Sequence, residues 1–241
     1  VAGRGYLNLL QPQDRRSLDA GDAPAIVAAR AALWAAGIGH GLVQAVVSLA
    51  AAVSATPPVV VDLGAGTGDA LGTLATARPI VGVGIDLSTA AAAHAARRFP
   101  DQTWVVANAD RRLPLLDGSV DVVLSIHGRR NPPESARVLG REGILIVAVP
   151  GADDLIELRA GVQGRGLVRP RVPRLIDGLG EHFACQEIRE IRERRTLDRD
   201  LLRHFLRVTY RGARTAEARR ADSLSALDVT MASDVALFTR R

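Results

Sequence analysis

The chain reads as an α/β protein, a mostly parallel, doubly wound sheet with helices on both faces. Three observations predict it. Apolar, β-branched runs alternate with helix-like segments from residue 59 onward, and each run is apolar throughout instead of at every second position. The first run, Val59-Val60-Val61-Asp62-Leu63, leads into a turn with glycines two apart, Gly64-Ala65-Gly66-Thr67-Gly68-Asp69. Strands buried on both faces are continuous apolar runs, and their alternation with helices marks crossover connections between parallel neighbours.

Residues 1–22 read as an irregular leader. Asp22 is placed to cap a helix with Pro24 in its first turn and Ile26, Leu33 and Trp34 at helical spacing, ending at Gly37. A second helix is expected from His40 to Ala55, stopped by Thr56-Pro57-Pro58. Residues 1–56 would thus cover a core domain of residues 57–241. Further strands are expected over residues 80–86, 103–107, 120–126 and 143–149, with helices over 89–98 and 133–139. The last third reads as a helix over 153–161, a basic loop over 165–174, a helix over 175–182 and strands over 183–192 and 227–238. An arginine-rich helical insertion is expected over about 193–224 between those two strands.

Composition limits the function. The 241 residues contain 47% hydrophobic and 24% charged residues, ordinary for a folded domain with a sizeable core. Cys185 is the single cysteine, so a disulfide or a cysteine-ligated zinc within this chain is excluded, and no metal site is expected. No signal-peptide pattern or secure membrane span is evident, so the sequence predicts a cytoplasmic protein. The net charge of +5 comes entirely from arginine, lysine being absent, and favours a polyanionic partner.

The glycine turn is the best candidate site. A strand, a tight glycine turn and a helix start bring backbone amides against a ligand with no side chain in the way, as a nucleotide-type cofactor needs. The dinucleotide fingerprint fits poorly, because Asp69 stands at its third glycine, and no lysine follows Gly68 to neutralise a triphosphate. Asp86 ends the second strand 20 residues after Gly66, where a carboxylate can accept both ribose hydroxyls. Asp110, after the third strand, can accept an exocyclic amine of a base. Asp62 faces the same crevice and is read as orienting the glycine loop and a ligand amino group.

Asp62-Leu63-Gly64-x-Gly66-x-Gly68 resembles motif I of the class I S-adenosylmethionine-dependent methyltransferases. The resemblance implies a Rossmann-like, seven-stranded, mostly parallel sheet with an antiparallel last strand. It also implies a cofactor site of Asp62, Gly64, Ala65, Gly66, Thr67, Gly68, Asp86, Leu87, Ala109, Asp110 and Ser125. The flanks narrow it. Gly5-Tyr6-Leu7-Asn8-Leu9-Leu10, Asp19-Ala20-Gly21-Asp22, Ala28-Ala29-Arg30-Ala31 and Arg130-Asn131-Pro132-Pro133-Glu134 look like the 23S ribosomal RNA guanine-N1 methyltransferases, a family that includes macrolide-resistance enzymes of the tylosin type.

That family carries a four-cysteine zinc ribbon before the Gly-Tyr-x-Asn-Leu-Leu segment, and this sequence starts where the ribbon would end. It also shows an asparagine, an apolar aromatic and a proline where Ser125-Ile126-His127-Gly128-Arg129 stands here. His127 is therefore a candidate general base or base-stacking platform. Guanine N1 carries a proton at neutral pH, and no residue in the sequence identifies itself as the group that removes it.

Arg199, Arg203 and Arg207 lie four apart on one face of a helix over 197–208, with Leu201, Leu202, Phe205 and Leu206 largely opposite. With Arg129, Arg130, Asn131, Arg169 and Arg171 they are the candidates for contact with ribosomal RNA. Two other readings stay open, a methyltransferase for a small molecule and a cofactor-binding regulator without catalysis.

Overall fold

The structure, a computed structural model, describes residues 5–11, 21–163, 166–209 and 225–241. In chain order the elements are β1 (Leu7–Asn8), α1 (Pro24–Ala35), α2 (His40–Ala50), β2 (Val59–Leu63), α3 (Asp69–Ala77), β3 (Val81–Asp86), α4 (Thr89–Arg98) and β4 (Thr103–Val106). They continue with β5 (Val120–Ile126), α5 (Pro132–Val138), β6 (Leu139–Pro150), α6 (Ile156–Gln163), α7 (Val172–Leu179), β7 (Phe183–Asp198), α8 (Arg199–Thr209) and β8 (Ala226–Arg240). Asp19 and Ala20, Arg165 and the 210–224 part of the expected insertion lie outside the described residues.

One sheet runs in the order β1-β4-β3-β2-β5-β6-β8-β7, and only β8 is antiparallel to its neighbours. The order reverses between β2 and β5, which pair in parallel from Val60↔Val122 to Asp62↔Leu124. At such a reversal the loops leaving the carboxyl ends of the strands diverge and open a crevice. Each face of the sheet has its own core. Val60, Trp104, Leu124 and Ile146 pack under α2, α3 and α4 through Val46, Leu71 and Ala95. Val61, Leu63, Ile85 and Val123 pack on the other face against Val138, Leu175 and Leu179 of α5 and α7. A third cluster joins Leu33 of α1, Leu158 of α6 and Leu202, Phe205 and Leu206 of α8 to Val229 of β8. It ties the amino-terminal helices to the far end of the β7–β8 hairpin, so that α1 and α8 stand over the crevice.

The structure corrects the sequence reading at several places. The sheet has eight strands, because part of the leader forms β1, paired in parallel with β4 through Leu7↔Val105 and Asn8↔Val106. Two residues carry no periodicity to read; the strand is held by Tyr6, 7% exposed in the core. β7 runs to Asp198, six residues past its expected end, so the insertion starts at Arg199. Its solvent-facing stretch is an alternation of arginine and glutamate, with Arg195–Glu193 at 3.2 Å along the strand, Arg192–Asp153 at 2.7 Å to the segment after β6 and Arg194–Asp228 at 3.8 Å across to β8. Fifteen cross-strand partners with β8 hold a segment whose polarity hides it as a strand.

β6 likewise starts at Leu139, and α7 begins three residues before its expected start, using Pro173 in its first turn. Asp22 does not cap α1; the cap position is Ala23, and the Asp22 carboxylate accepts from Arg30 Nε at 3.0 Å. No single helix among the described residues is long and apolar enough to cross a membrane.

Gly84 in β3 lies against the indole of Trp104, where an added Cβ would stand 2.3 Å from a ring carbon. Trp104 is 2% exposed and cannot give way. Gly84→Ala is expected to destabilise by about 1–3 kcal/mol in urea unfolding, as overpacking does. Gly118→Ala meets no atom within 4 Å at φ +63° and is expected to cost less, about 1 kcal/mol.

Candidate active site

The glycine spacing has a backbone cause. Gly64, Gly66 and Gly68 all adopt positive φ, +82°, +54° and +82°, which side-chain-bearing residues rarely do. The turn is then bonded to the neighbouring strand. The Gly64 and Ala65 amides donate to the Ile85 carbonyl at 2.8 and 3.1 Å, and the Gly66 amide donates to Asp86 Oδ2 at 2.9 Å. Asp86 Oδ1 accepts the Ser88 amide at 2.8 Å. Ser88 itself caps α4, its Oγ accepting the Ala91 amide at 3.1 Å, and its hydroxyl donates to the Asp22 carbonyl at 2.6 Å. Asp86 is thereby free of capping duty and fixed as the hinge between the glycine turn and β3.

These residues border a cavity of about 600 Å³ at the carboxyl ends of β2 and β3. Asp62, Gly64, Ala65, Gly66, Thr67, Asp86, Leu87, Ala109 and Asp110 all line it, as expected. Asp62 is 2% exposed, and its Oδ1 has no hydrogen-bond partner among the described residues. Burial, and then the negative charge of Asp86, push its carboxyl up to about 7. Asp86 is also raised, by burial first, against the lowering effect of the Ser88 and Gly66 amides. Two crowded carboxylates, one with an orphan oxygen, favour a ligand that brings positive charge and hydrogen-bond donors. A Cβ built on Gly66 would meet only the Gly64 carbonyl oxygen, at 4.0 Å, so ligand atoms can approach that backbone closely.

Three expected site residues have other duties, and a fourth, Arg130, stands away from the cavities. Gly68 is absent from the cavity wall; a Cβ there would stand 2.6 Å from Trp104, so its glycine serves the turn and the packing beneath it. Ser125 is 1% exposed, and its hydroxyl donates to the Arg129 carbonyl at 2.9 Å, bracing the 126–129 loop from behind. Asn131 spends its amide nitrogen on the Ala109 and Arg111 carbonyls at 2.9 and 3.0 Å and so braces the loop after β4. Arg130 is exposed and borders neither cavity, whereas Arg129 lines the first and stands 3.5 Å from Asp110.

The same wall holds residues that the sequence did not single out as site residues. Gly21, Asp22, Arg30, Trp34 and Leu42 come from the amino-terminal segment, and Asp69 from the start of α3. Gly21 is the informative one. A Cβ there would stand 2.6 Å from the Ser88 backbone, so the segment before α1 lies directly on the β3–α4 turn.

A second cavity, about 610 Å³, adjoins the first and shares Arg30, Trp34, Thr67, Asp69 and His127 with it. Its other walls are Asp154, Arg159 and Arg171 after β6, with Glu193 of β7, Phe205 and Val208 of α8 and Ser233 of β8. His127 sits between the two cavities at a φ of +51°, its Nε2 3.1 Å from Ser233 Oγ. Its side chain is exposed to the cleft while protein groups crowd around it. That crowding, with Arg30 and Arg171, lowers its pKa to about 4 and leaves the imidazole neutral at physiological pH. Gly128 follows, where a Cβ would stand 2.6 Å from the Leu63 carbonyl, so the loop is pressed onto the end of β2.

Arg199, Arg203 and Arg207 are exposed on α8, the helix whose buried face carries Leu202, Phe205 and Leu206. The face has some internal pairing after all, Arg203 lying 3.5 Å from Asp200. Arg171 is turned inward, donating to the Pro150 and Gly151 carbonyls at 3.0 and 3.2 Å, so it is a cavity residue and does not join an outer stripe.

Strand order, glycine turn and paired carboxylates define a class I methyltransferase, and the donor set fits S-adenosylmethionine, whose ammonium, sulfonium and ribose diol supply the cation and donors the first cavity lacks. The comparisons agree. Residues 60–141 match a family described as a methyltransferase domain. The chain is 37% identical over 208 residues to the 23S rRNA (guanine(748)-N(1))-methyltransferase of Streptomyces fradiae, covering 84% of this chain and 72% of that protein. It is 36% identical over 201 residues to the "Putative 23S rRNA (guanine-N(1)-)-methyltransferase" of Micromonospora griseorubida, covering 76% and 66%. Among solved structures, the YcgJ protein of Bacillus subtilis superposes with a TM-score of 0.59 at 14% identity over 80% of this chain and 96% of that one, a likeness of fold. The chain belongs to the 23S rRNA guanine-N1 methyltransferase family and is an S-adenosylmethionine-dependent methyltransferase.

The buried Asp62 makes stability depend on pH. The unfolded chain ionises it near 3.8 and the folded chain only near 7, so the penalty grows between those values and is complete above 7. Asp62→Asn is expected to raise unfolding stability at pH 8 by up to a few kcal/mol and to leave it nearly unchanged at pH 4, read from urea titrations of the ligand-free protein.

Proposed function

We propose that this protein methylates N1 of a guanine in 23S ribosomal RNA. The observation that carries the reading is the pair of adjoining cavities, one ending on Asp62 and Asp86, the other on Asp154, Arg159 and Arg171, with His127 and Trp34 common to both. A cofactor cavity alone fits any methyltransferase. A second cavity of similar size, with an aromatic wall and both signs of charge, fits a nucleobase that offers donors and acceptors on one edge and a flat face for stacking. The names of the relatives specify guanine N1 and 23S rRNA, and the arginines of α8 lie exposed on the outer side of the helix that forms the wall of that second cavity.

In this reading Asp86 accepts the ribose hydroxyls of the cofactor, Asp62 faces its amino group and the Gly64–Gly66 backbone gives close approach. Leu87, Ala109 and Asp110 border its adenine. S-adenosylmethionine supplies an already activated methyl group, so the protein's work is to position donor and acceptor in line and to exclude water. His127, neutral and hydrogen-bonded to Ser233, is a wall between the two ligands and a weak base. Arg199, Arg203 and Arg207, with Arg129 and Arg130, contact phosphates.

Incubation with labelled S-adenosylmethionine and a 23S rRNA transcript, followed by nucleoside mass spectrometry, is expected to give N1-methylguanosine; label in another nucleoside or none in RNA contradicts the reading. In calorimetry Asp86→Ala is expected to weaken cofactor affinity about 10- to 100-fold, as lost hydrogen bonds to a charged group do. RNA affinity is expected to fall steeply with salt, and Arg203→Ala to reduce the log–log slope by about one.

A further inference from the structure

We propose that Asp154 takes the N1 proton of the acceptor guanine in the second cavity, with Arg159 and Arg171 facing the negative charge this leaves on the ring. The inference rests on the guanine-N1 reading and supplies the group that the sequence left unidentified. N1 of neutral guanine is bonded to hydrogen, and its electron pair becomes available only as that proton leaves. The site must therefore hold a proton acceptor and positive charge near O6.

Four ionisable groups in the second cavity could accept the proton: His127, Asp69, Glu193 and Asp154. Asp69 is occupied at the α3 start, accepting from Thr67 Oγ1 at 2.5 Å and paired with Arg98. Glu193 stands 3.2 Å from the Arg195 guanidinium. His127 is a weakened base, depressed by its surroundings and by two arginines, Arg30 and Arg171. Asp154 differs from all three. Its Oδ1 accepts the Ala232 amide at 2.9 Å, which fixes the carboxylate. Burial pushes it up to about 6 against the opposing influence of Arg159 and Arg171, with Asp153 adding to the rise. A carboxylate in that range is ionised at neutral pH and more basic than an ordinary aspartate, the property wanted in a proton acceptor.

Arg159 gives an independent indication of a ligand. It is 8% exposed, its Nη2 donates to the Leu167 carbonyl at 3.1 Å, and its Nε has no hydrogen-bond partner among the described residues. A buried, incompletely partnered cation near a half-buried carboxylate is costly without a ligand that answers both. Guanine presents N1–H and O6 side by side. Leu155, next to Asp154, is held at φ +53° by its amide bond to the Thr230 carbonyl at 2.7 Å, so the turn that aims Asp154 is fixed at a backbone cost. The step balances: the N1–H proton goes to the Asp154 carboxylate, the N1 electron pair forms the bond to the methyl carbon, the methyl–sulfur bond breaks with its pair left on sulfur, and Asp154 returns the proton to solvent.

The test is single-turnover methyl transfer to the 23S rRNA transcript at saturating cofactor across pH, with RNA affinity measured separately in the presence of S-adenosylhomocysteine. For Asp154→Asn, a rate loss of about 100-fold or more at pH 7 is expected, with RNA and cofactor affinity within twofold of the parent. The parent rate should rise with pH and level off as Asp154 ionises, the variant rate should keep rising with hydroxide, and Asp154→Glu should recover part of the rate and the plateau. A rate within threefold of the parent, or a loss matched by lost RNA affinity, overturns the assignment. Should Asp154→Asn fail to fold, Asp154→Ser carries the same comparison. If the parent protein itself modifies no guanine, the guanine reading fails; if it does and the variant matches it, only the role of Asp154 falls.

Discussion

The structure depends on two carboxylates held close together at the point where the strand order reverses. Asp62 and Asp86 lie at the ends of adjacent parallel strands, and the charge of Asp86 adds to the burial that raises the cost of ionising Asp62. The protein tolerates this because Asp86 is tied to the Gly66 and Ser88 amides, and the Gly66 amide reaches it through a turn that enters left-handed backbone conformations three times in five residues. The glycine spacing, the strand pairing and the electrostatic demand for a cationic ligand are one arrangement. Without a ligand it carries an orphan oxygen on Asp62, a stability penalty that cofactor binding would offset.

The rest of the chain places an acceptor beside that arrangement. The segment around Gly21 rests on the β3–α4 turn, α1 brings Arg30 and Trp34 over the crevice, and the hairpin of β7 and β8 with α8 closes the far wall. The third core cluster links these pieces, so the geometry of the acceptor cavity is set by apolar packing of Leu33, Leu158, Leu202 and Val229 well away from the chemistry. His127 connects the two cavities through its position and its bond to Ser233.

How much of this was legible in the sequence follows from how local the determinants are. β2, β5 and α4 were readable because apolar runs and an alanine-rich helix are written in consecutive residues, and the cofactor side was readable because Asp62, the glycines and Asp86 fall at fixed spacing along one strand–helix–strand unit. β1 escaped because two residues cannot show a period, and the outer part of β7 because a polar ribbon of arginine and glutamate is held by backbone pairing with β8, which no local pattern announces. Ser125 and Asn131 sit where site residues are expected, yet their polar groups are consumed in holding loops, which only coordinates reveal. The acceptor cavity was invisible for a further reason. Asp154, Arg159, Arg171, Glu193 and Ser233 lie on different elements, and nothing in their order along the chain announces that they meet.

In the proposed reading the carboxylate pair seats S-adenosylmethionine with its reactive end toward the second cavity. A crystal structure of the complex with S-adenosylhomocysteine is the direct test. The ribose hydroxyls are expected on Asp86, the homocysteine amine facing Asp62 over the Gly64–Gly66 backbone and the sulfur directed at the boundary marked by His127. A nucleoside bound away from Asp86, or a sulfur turned from that boundary, would contradict it.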